Sequence, residues 1–136
     1  MATKVASNAW GDILHHESEG ILELRWLPTT ANMTDGGFKA TLALFAWEGE
    51  KIRPSTMLID ATEFNHEFAR GVMQWRDDMI IPRYGAAGVR KFAFLVPAGF
   101  PNTIESGGKE VFEGPAIFPT AWFSGRQRAL EWLRAL

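Results

Sequence analysis

The stretch from Thr56 to Phe68, TMLIDATEFNHEF, holds the densest set of side chains able to do chemistry. An apolar run, Met57–Ile59, ends on the Asp60 carboxylate. The Thr62 hydroxyl follows two residues later, and Glu63, His66 and Glu67 come soon after. The carboxyl end of a strand is where open α/β sheets place ligands and switches. Asp60 and Thr62 therefore have two readings. They form a switch or ligand site, or they cap a helix by accepting hydrogen bonds from the unpaired amides of its first turn. His66 with Glu63, Glu67 or Asp60 has the side-chain types of a metal or acid–base cluster. The competing reading is an ordinary surface histidine near a helix start, and no metal or cofactor is expected.

The remaining constellations carry less. His15 and His16 are neighbours on an expected strand and point to opposite faces, so they do not grip one ion. Asp77 and Asp78 diverge by about 100° on a helix and do not share a proton. They read as a solvated face or as partners of Arg76 or Arg83. The segment ESGGKE, Glu105–Glu110, lacks the Gly-x-x-x-x-Gly-Lys-Ser/Thr spacing of a phosphate loop. The chain has no cysteine, which excludes thiol nucleophiles, disulfides and thiolate metal sites and fits a reducing compartment. No Gly-x-Ser-x-Gly elbow supports Ser55, Ser106 or Ser124 as a nucleophile beside His66. Without a nucleophile, base and oxyanion donor in view, the sequence points away from an enzyme.

Composition narrows the class further. The net charge is −2 and no basic run exceeds Arg90–Lys91, so there is no nucleic-acid footprint. The longest unbroken apolar stretch, Leu42–Trp47, is far short of a membrane span. The first residues lack the apolar core of a signal peptide, so a cytoplasmic location is expected. At 136 residues and 46% hydrophobic content, with ten Phe and six Trp, the chain can bury one sizeable core.

The elements that must position these residues follow from hydrophobic periodicity. Residues 1–9 read as a flexible tail and 10–136 as a single domain. Gly11–Glu17 and Ile21–Leu27 form a hairpin, the second strand alternating Leu22, Leu24 and Trp26 against Glu23 and Arg25. Thr34 or Asp35 caps a helix to about Glu48, with Phe38, Leu42, Phe45 and Ala46 on one face. Met57–Ile59 is a strand buried on both sides. A long helix is expected from Asn65 to Ile81, ended or kinked by Pro82. Its main stripe runs Phe64, Phe68, Val72, Trp75 and Met79, and Ala69, Met73 and Ile80 make a second apolar side. Lys91–Val96 is another buried strand. The loop Pro97–Pro115 follows, with room for one helical turn, then a strand within Ala116–Phe123, at an edge or starting late because Pro119 cannot donate to a ladder. Ser124 opens the last helix, with Gln127 placed for a capping box and Ala129, Trp132, Leu133 and Leu136 as its stripe. The fold expected is α/β: a mixed, mostly parallel five-stranded sheet with an antiparallel N-terminal hairpin strand, covered by three main helices and one short one, in the order β-β-α-β-α-β-(α)-β-α.

On this layout, "ILELRWLP", "MLIDATEF", "WRDDMIIPRYGAAGVRKFAFLVP" and "AWFSGRQRALEWL" resemble the STAS/SpoIIAA-like families, and more narrowly their small bacterial single-domain branch labelled STAS/SEC14. The resemblance covers about residues 10–136 and is carried most by "GVRKFAFLVP" with "RALEWL". Anti-sigma-factor antagonists of the wider group carry a phosphorylatable Ser after the third strand, in a motif like Asp-Ser-Ser-Gly. Here the comparable stretch is Asp60-Ala61-Thr62-Glu63-Phe64. It lacks the Ser pair and the Gly, and Glu63 would repel a phosphate on Thr62.

Two functional expectations stand. The first is a non-catalytic interaction or regulatory module that self-associates, as a homodimer or with another protein, through Ala69, Met73 and Ile80, because one face of the long helix suffices for its own sheet. The second is a carrier for a small apolar or lipid-like ligand, held under that helix with Trp75 and Phe100 as a lid. The SEC14 label of the resembled branch implies ligands of that kind.

Overall fold

The structure is a computed structural model, which describes residues 2–135. Six strands form one sheet in simple chain order: β1 (Ala2–Ser7), β2 (Gly11–His16), β3 (Ile21–Trp26), β4 (Thr56–Asp60), β5 (Lys91–Leu95) and β6 (Thr120–Phe123). β1, β2 and β3 pair antiparallel, and β3 through β6 pair parallel. Helices α1 (Asp35–Ile52), α2 (Val72–Met79) and α3 (Ile81–Ala86) cover one face, and α4 (Arg126–Arg134) packs on the other. This is the mixed, mostly parallel α/β sheet with an N-terminal hairpin that the periodicity predicts.

Strand alternation sorts the core into two layers. Leu22, Leu24, Trp26, Met57, Ile59 and Phe92 face α1–α3. Ile21, Leu58, Ala93, Leu95, Ala121 and Phe123 face α4, against Ala129 and Leu133. α1 starts as expected, with the Thr34 hydroxyl accepting from the Gly37 amide at 3.1 Å. It crosses β4 so closely that a Cβ at Gly49 would sit 2.5 Å from Met57 Cε.

Three expectations change. The sheet gains a sixth strand, because residues 2–7 are not a flexible tail but the edge strand β1. Its register is set by Asn8, whose side-chain oxygen accepts from the amides of Trp10 and Gly11 while its amide donates to Thr41 on α1. β1 is nearly all exposed, so no apolar alternation announced it. Next, the long helix from Asn65 is not continuous. Gly71 takes the left-handed φ of 90°, a conformation that suits glycine and interrupts a helix. Only α2 follows it, and α3 starts anew at Ile81 with Pro82 in its first turn, where the missing N–H is harmless. Residues 61–71 are a loop crossing over α1. Last, Ser124 and Gln127 make no capping box. The Glu105 carboxylate, from the long loop, accepts from the amides of Ser124 and Gly125 at 3.0 Å each. β6 does occupy an edge and does start after Pro119. Leu136 lies outside the described residues.

Candidate functional site

The loops after β4 and β5 diverge from the sheet, and the space they leave under α1, α2 and α3 is not filled. A cavity of about 300 Å³ opens there. Its floor is made by strand residues of the α1–α3 face, Ile59, Phe92, Phe94 and Trp122 among them. Its sides come from Phe38 and Leu42 on α1 and from Met73 and Arg76 on α2. The loop of residues 61–71 contributes Phe64 and Phe68, and the loop after β5 contributes Phe100 and Glu113. Half of the lining residues are aromatic. Phe94 and Trp122 stack at 5.6 Å with planes 8° apart, Trp26 stacks on Phe38, and Phe64 meets both edge-on. Such offset and edge contacts hold the rings in fixed orientations around the space.

The roof loop has its own fastening. His66 Nε2 lies 2.7 Å from Asp35 Oδ1, and Asp35 Oδ2 accepts from the Ala69 amide at 3.2 Å. His66 thus ties residues 66–69 to the start of α1. Its hydrogen bond holds the Asp35 carboxyl below its ordinary range. The clasp brings Phe68 over Phe38, with ring centroids 4.5 Å apart.

Few polar groups reach the cavity, and most are already engaged. Arg76 pairs with Glu113 at 3.1 Å and with Asp77 at 3.0 Å. Tyr84 differs. It is 3% exposed, and its hydroxyl has no hydrogen-bond partner among the described residues. Burial pushes the phenol well above its ordinary pKa, and the positive charges of Arg76 and Arg83 oppose that only in part.

The sequence candidates fall on different sides of the molecule. Ala69, Met73 and Ile80 do not share a helical face. Ile80 is buried in the core at 1% exposure, Met73 borders the cavity, and Ala69 is exposed on the loop. Phe100 stands at the cavity rim. Trp75 does not line it; it packs on the core beneath Lys39, whose ammonium is 5.4 Å from the ring centroid. Asp60 and Thr62 point to the α4 face. No helix begins there, so Asp60 closes a turn instead, Oδ1 accepting from the Thr62 amide at 3.0 Å and the Thr62 hydroxyl at 2.7 Å.

Asp60 also belongs to a charged network. Glu23, fully buried on β3, accepts from Arg126 through both oxygens. It also touches His16 at 2.8 Å and Arg25 at 3.3 Å, and Arg126 reaches on to Asp60 at 3.0 Å. Burial alone would raise the Glu23 carboxyl; the Arg126 contacts, then His16 and Arg25, outweigh it and hold it below its ordinary value. Each carboxylate meets at least one guanidinium, so the network is a satisfied structural link between β3, β4 and α4. Elsewhere Asp77 pairs with Arg76, and Arg83 grips Glu50 through two hydrogen bonds. Among the described residues no three His, Asp or Glu side chains gather as a metal site, and no helix is long and apolar enough to cross a membrane.

Sequence reasoning missed Tyr84, Phe94, Trp122 and Glu113 as cavity residues. The signal was weak, because an aromatic on a buried strand looks the same whether it packs against a neighbour or against a space. Comparison of the chain with protein-family models, with curated proteins and with solved structures finds no match.

Proposed function

We propose that this protein is a non-catalytic binding module for a small apolar ligand, taken up between the sheet and helices α1–α3. The observation that carries the reading is the 300 Å³ cavity with half its lining aromatic. It lies between the sheet and α1–α3, and its volume and apolar walls fall within the range of small-molecule sites. Well-packed cores leave few voids larger than a water molecule, so a space of this size asks for an occupant. The kinship with STAS/SpoIIAA-like domains of the STAS/SEC14 branch belongs to the same proposal, as does a regulatory role in a bacterial cytoplasm. Both rest on the sequence motifs and the α/β layout. Self-association has lost the continuous two-sided helix that motivated it, since Gly71 separates Ala69 from α2 and Ile80 lies in the core.

The test is titration with the neutral fluorophore N-phenyl-1-naphthylamine, whose emission rises on leaving water. Wild type should bind it at micromolar concentrations, and Ala116→Phe, which fills the cavity from a buried lining position, should weaken binding at least tenfold with the fold retained by circular dichroism. No enhancement with wild type, or equal binding by a folded Ala116→Phe, refutes the reading. Ala61→Leu, from a second lining residue, serves if Ala116→Phe fails to fold.

A further inference from the structure

We infer that the ligand is uncharged and ends in a carboxamide or an equivalent group, one acceptor beside one N–H donor, which meets Arg76 and Glu113 at the polar end of the cavity. This rests on the cavity reading above and specifies the chemistry of the ligand's polar end.

Arg76 occupies a position built for an apolar side chain. Val72 and Ile80 lie four residues before and after it, and both are buried, at 4% and 1% exposure. The Ile80 amide still bonds the Arg76 carbonyl at 3.0 Å, so helical spacing holds across all three. Residues four apart share a helix face, which puts Arg76 on the inward face of α2. Met73, three residues before it, borders the same cavity.

Glu113 arrives from the loop after β5 through a close approach of backbone to helix. Gly114 has a φ of 54°, and a Cβ there would sit 3.0 Å from the Asp77 carboxyl carbon. The segment can therefore lie against α2, with Glu113 Oε1 3.1 Å from Arg76 Nη1. Both residues line the cavity, and their side chains are 17% and 28% exposed, so a ligand can reach either.

The pair has hydrogen-bonding capacity left over. Asp77 Oδ1 accepts from Nε and Nη2 of Arg76, and Glu113 stands at Nη1. A guanidinium carries five N–H groups, and a carboxylate about four acceptor positions. A ligand oxygen can thus accept from Arg76 while a ligand N–H donates to Glu113, with the ion pair still in place. A carboxamide offers both on one edge.

Charge and size follow from the same surroundings. An anionic ligand meets the carboxylates of Glu113 and Asp77, and a cationic one meets the guanidinium. Either also enters an apolar space, where an ion is costly. An apolar cavity of about 150 Å³ holds one benzene, so about 300 Å³ takes a body of roughly two rings.

The experiment uses four naphthalenes of nearly one outline at pH 7: 2-naphthamide, 2-acetylnaphthalene, which keeps the acceptor and lacks the donor, the anion 2-naphthoate and the cation 2-naphthamidinium. Each competes against N-phenyl-1-naphthylamine on wild type, Glu113→Ala and Arg76→Met. Wild type should prefer the amide over the ketone by about tenfold, the scale of one hydrogen bond to a charged group, and should bind both ions more weakly than the amide. In Glu113→Ala the ketone should bind at least as well as the amide. In Arg76→Met, where two carboxylates remain without the guanidinium, the cation should overtake the amide. Methionine suits the inward face between Val72 and Ile80, and Glu113 lies on a loop, so both variants are expected to fold; either one decides the matter if the other does not. The inference is overturned if wild type binds amide and ketone alike, if either ion binds wild type better than the amide, if the amide keeps its lead in folded Glu113→Ala, or if the order of amide and cation is unchanged in folded Arg76→Met. In each of those cases the binding reading still stands. If the fluorophore fails to bind, or none of the four displaces it, the binding reading falls as well.

Discussion

Arg126→Met isolates what holds α4 to the sheet on the face away from the cavity. In wild type Arg126 donates to both Glu23 oxygens and to Asp60. Methionine keeps much of the aliphatic length and removes the charge. Glu23 would keep His16 at 2.8 Å and Arg25 at 3.3 Å, while staying fully buried. Removing one partner of a buried pair costs about 3–5 kcal/mol. Arg126 is itself about a third exposed and Arg25 more so, so solvent screening and the remaining partners bring the expected loss to about 2–3 kcal/mol. The pH dependence has a definite sign. The Glu23 carboxyl is held below its ordinary 4.5 in the folded protein, so the wild-type contribution is complete above about pH 5 and is lost as pH falls through the lowered value. Without Arg126 the burial penalty dominates, and the carboxyl moves upward. It then takes a proton more readily when folded than unfolded, and the variant gains relative stability on acidification. Urea unfolding from pH 7 down to pH 4 should therefore show a gap that is widest at pH 7 and narrows toward acid. Adding Glu23→Leu to Arg126→Met should return most of the loss at pH 7, because the stranded buried charge is gone. An Arg126→Met protein within about 0.5 kcal/mol of wild type at pH 7 would refute the reasoning, since that is the scale of an ordinary surface substitution. So would a gap that widens with acid.

Other outcomes follow from the same contacts. Tyr84→Phe should stabilise the ligand-free protein by about 1 kcal/mol in thermal or urea unfolding, because it removes a buried donor that has no partner. Asp35→Asn should loosen the roof of the cavity: hydrogen exchange at the Ala69 amide, bonded to Asp35 in wild type, should accelerate at least tenfold while amides of β4 and β5 keep their protection. The Asp35 carboxyl is held below its ordinary 3.8 by His66, so the wild-type clasp should persist above that value and open as pH falls through the lowered one. Glu105→Ala should cost about 1 kcal/mol of unfolding free energy, the scale of losing a helix N-terminal cap, and Glu105→Gln, which keeps one acceptor oxygen, should cost less.

How far the sequence reaches depends on how far apart the deciding residues are. The buried strands at Met57–Ile59 and Phe92–Leu95, the face of α1 and the Thr34 cap were legible, since each is a pattern of neighbours a few residues apart. β1 was not, because an edge strand exposed on nearly every residue has no apolar alternation to read. The break at Gly71 was hidden because the stripe Phe64, Phe68, Val72 continues helical spacing across it. Those phenylalanines line the cavity from a loop, which His66 ties to Asp35, 31 residues earlier in the chain.

By itself, then, the amino-acid sequence determined the α/β class, the hairpin, and the lack of any cysteine chemistry, for these depend on composition and on periodicities of two and 3.6 residues. Only the tertiary structure decided that Ile80 is core, that Asp60 ends in a network with Glu23 and Arg126, and that Tyr84 and the paired aromatics border an open space. A cavity is the volume that packing leaves over between distant segments, and no local pattern records it.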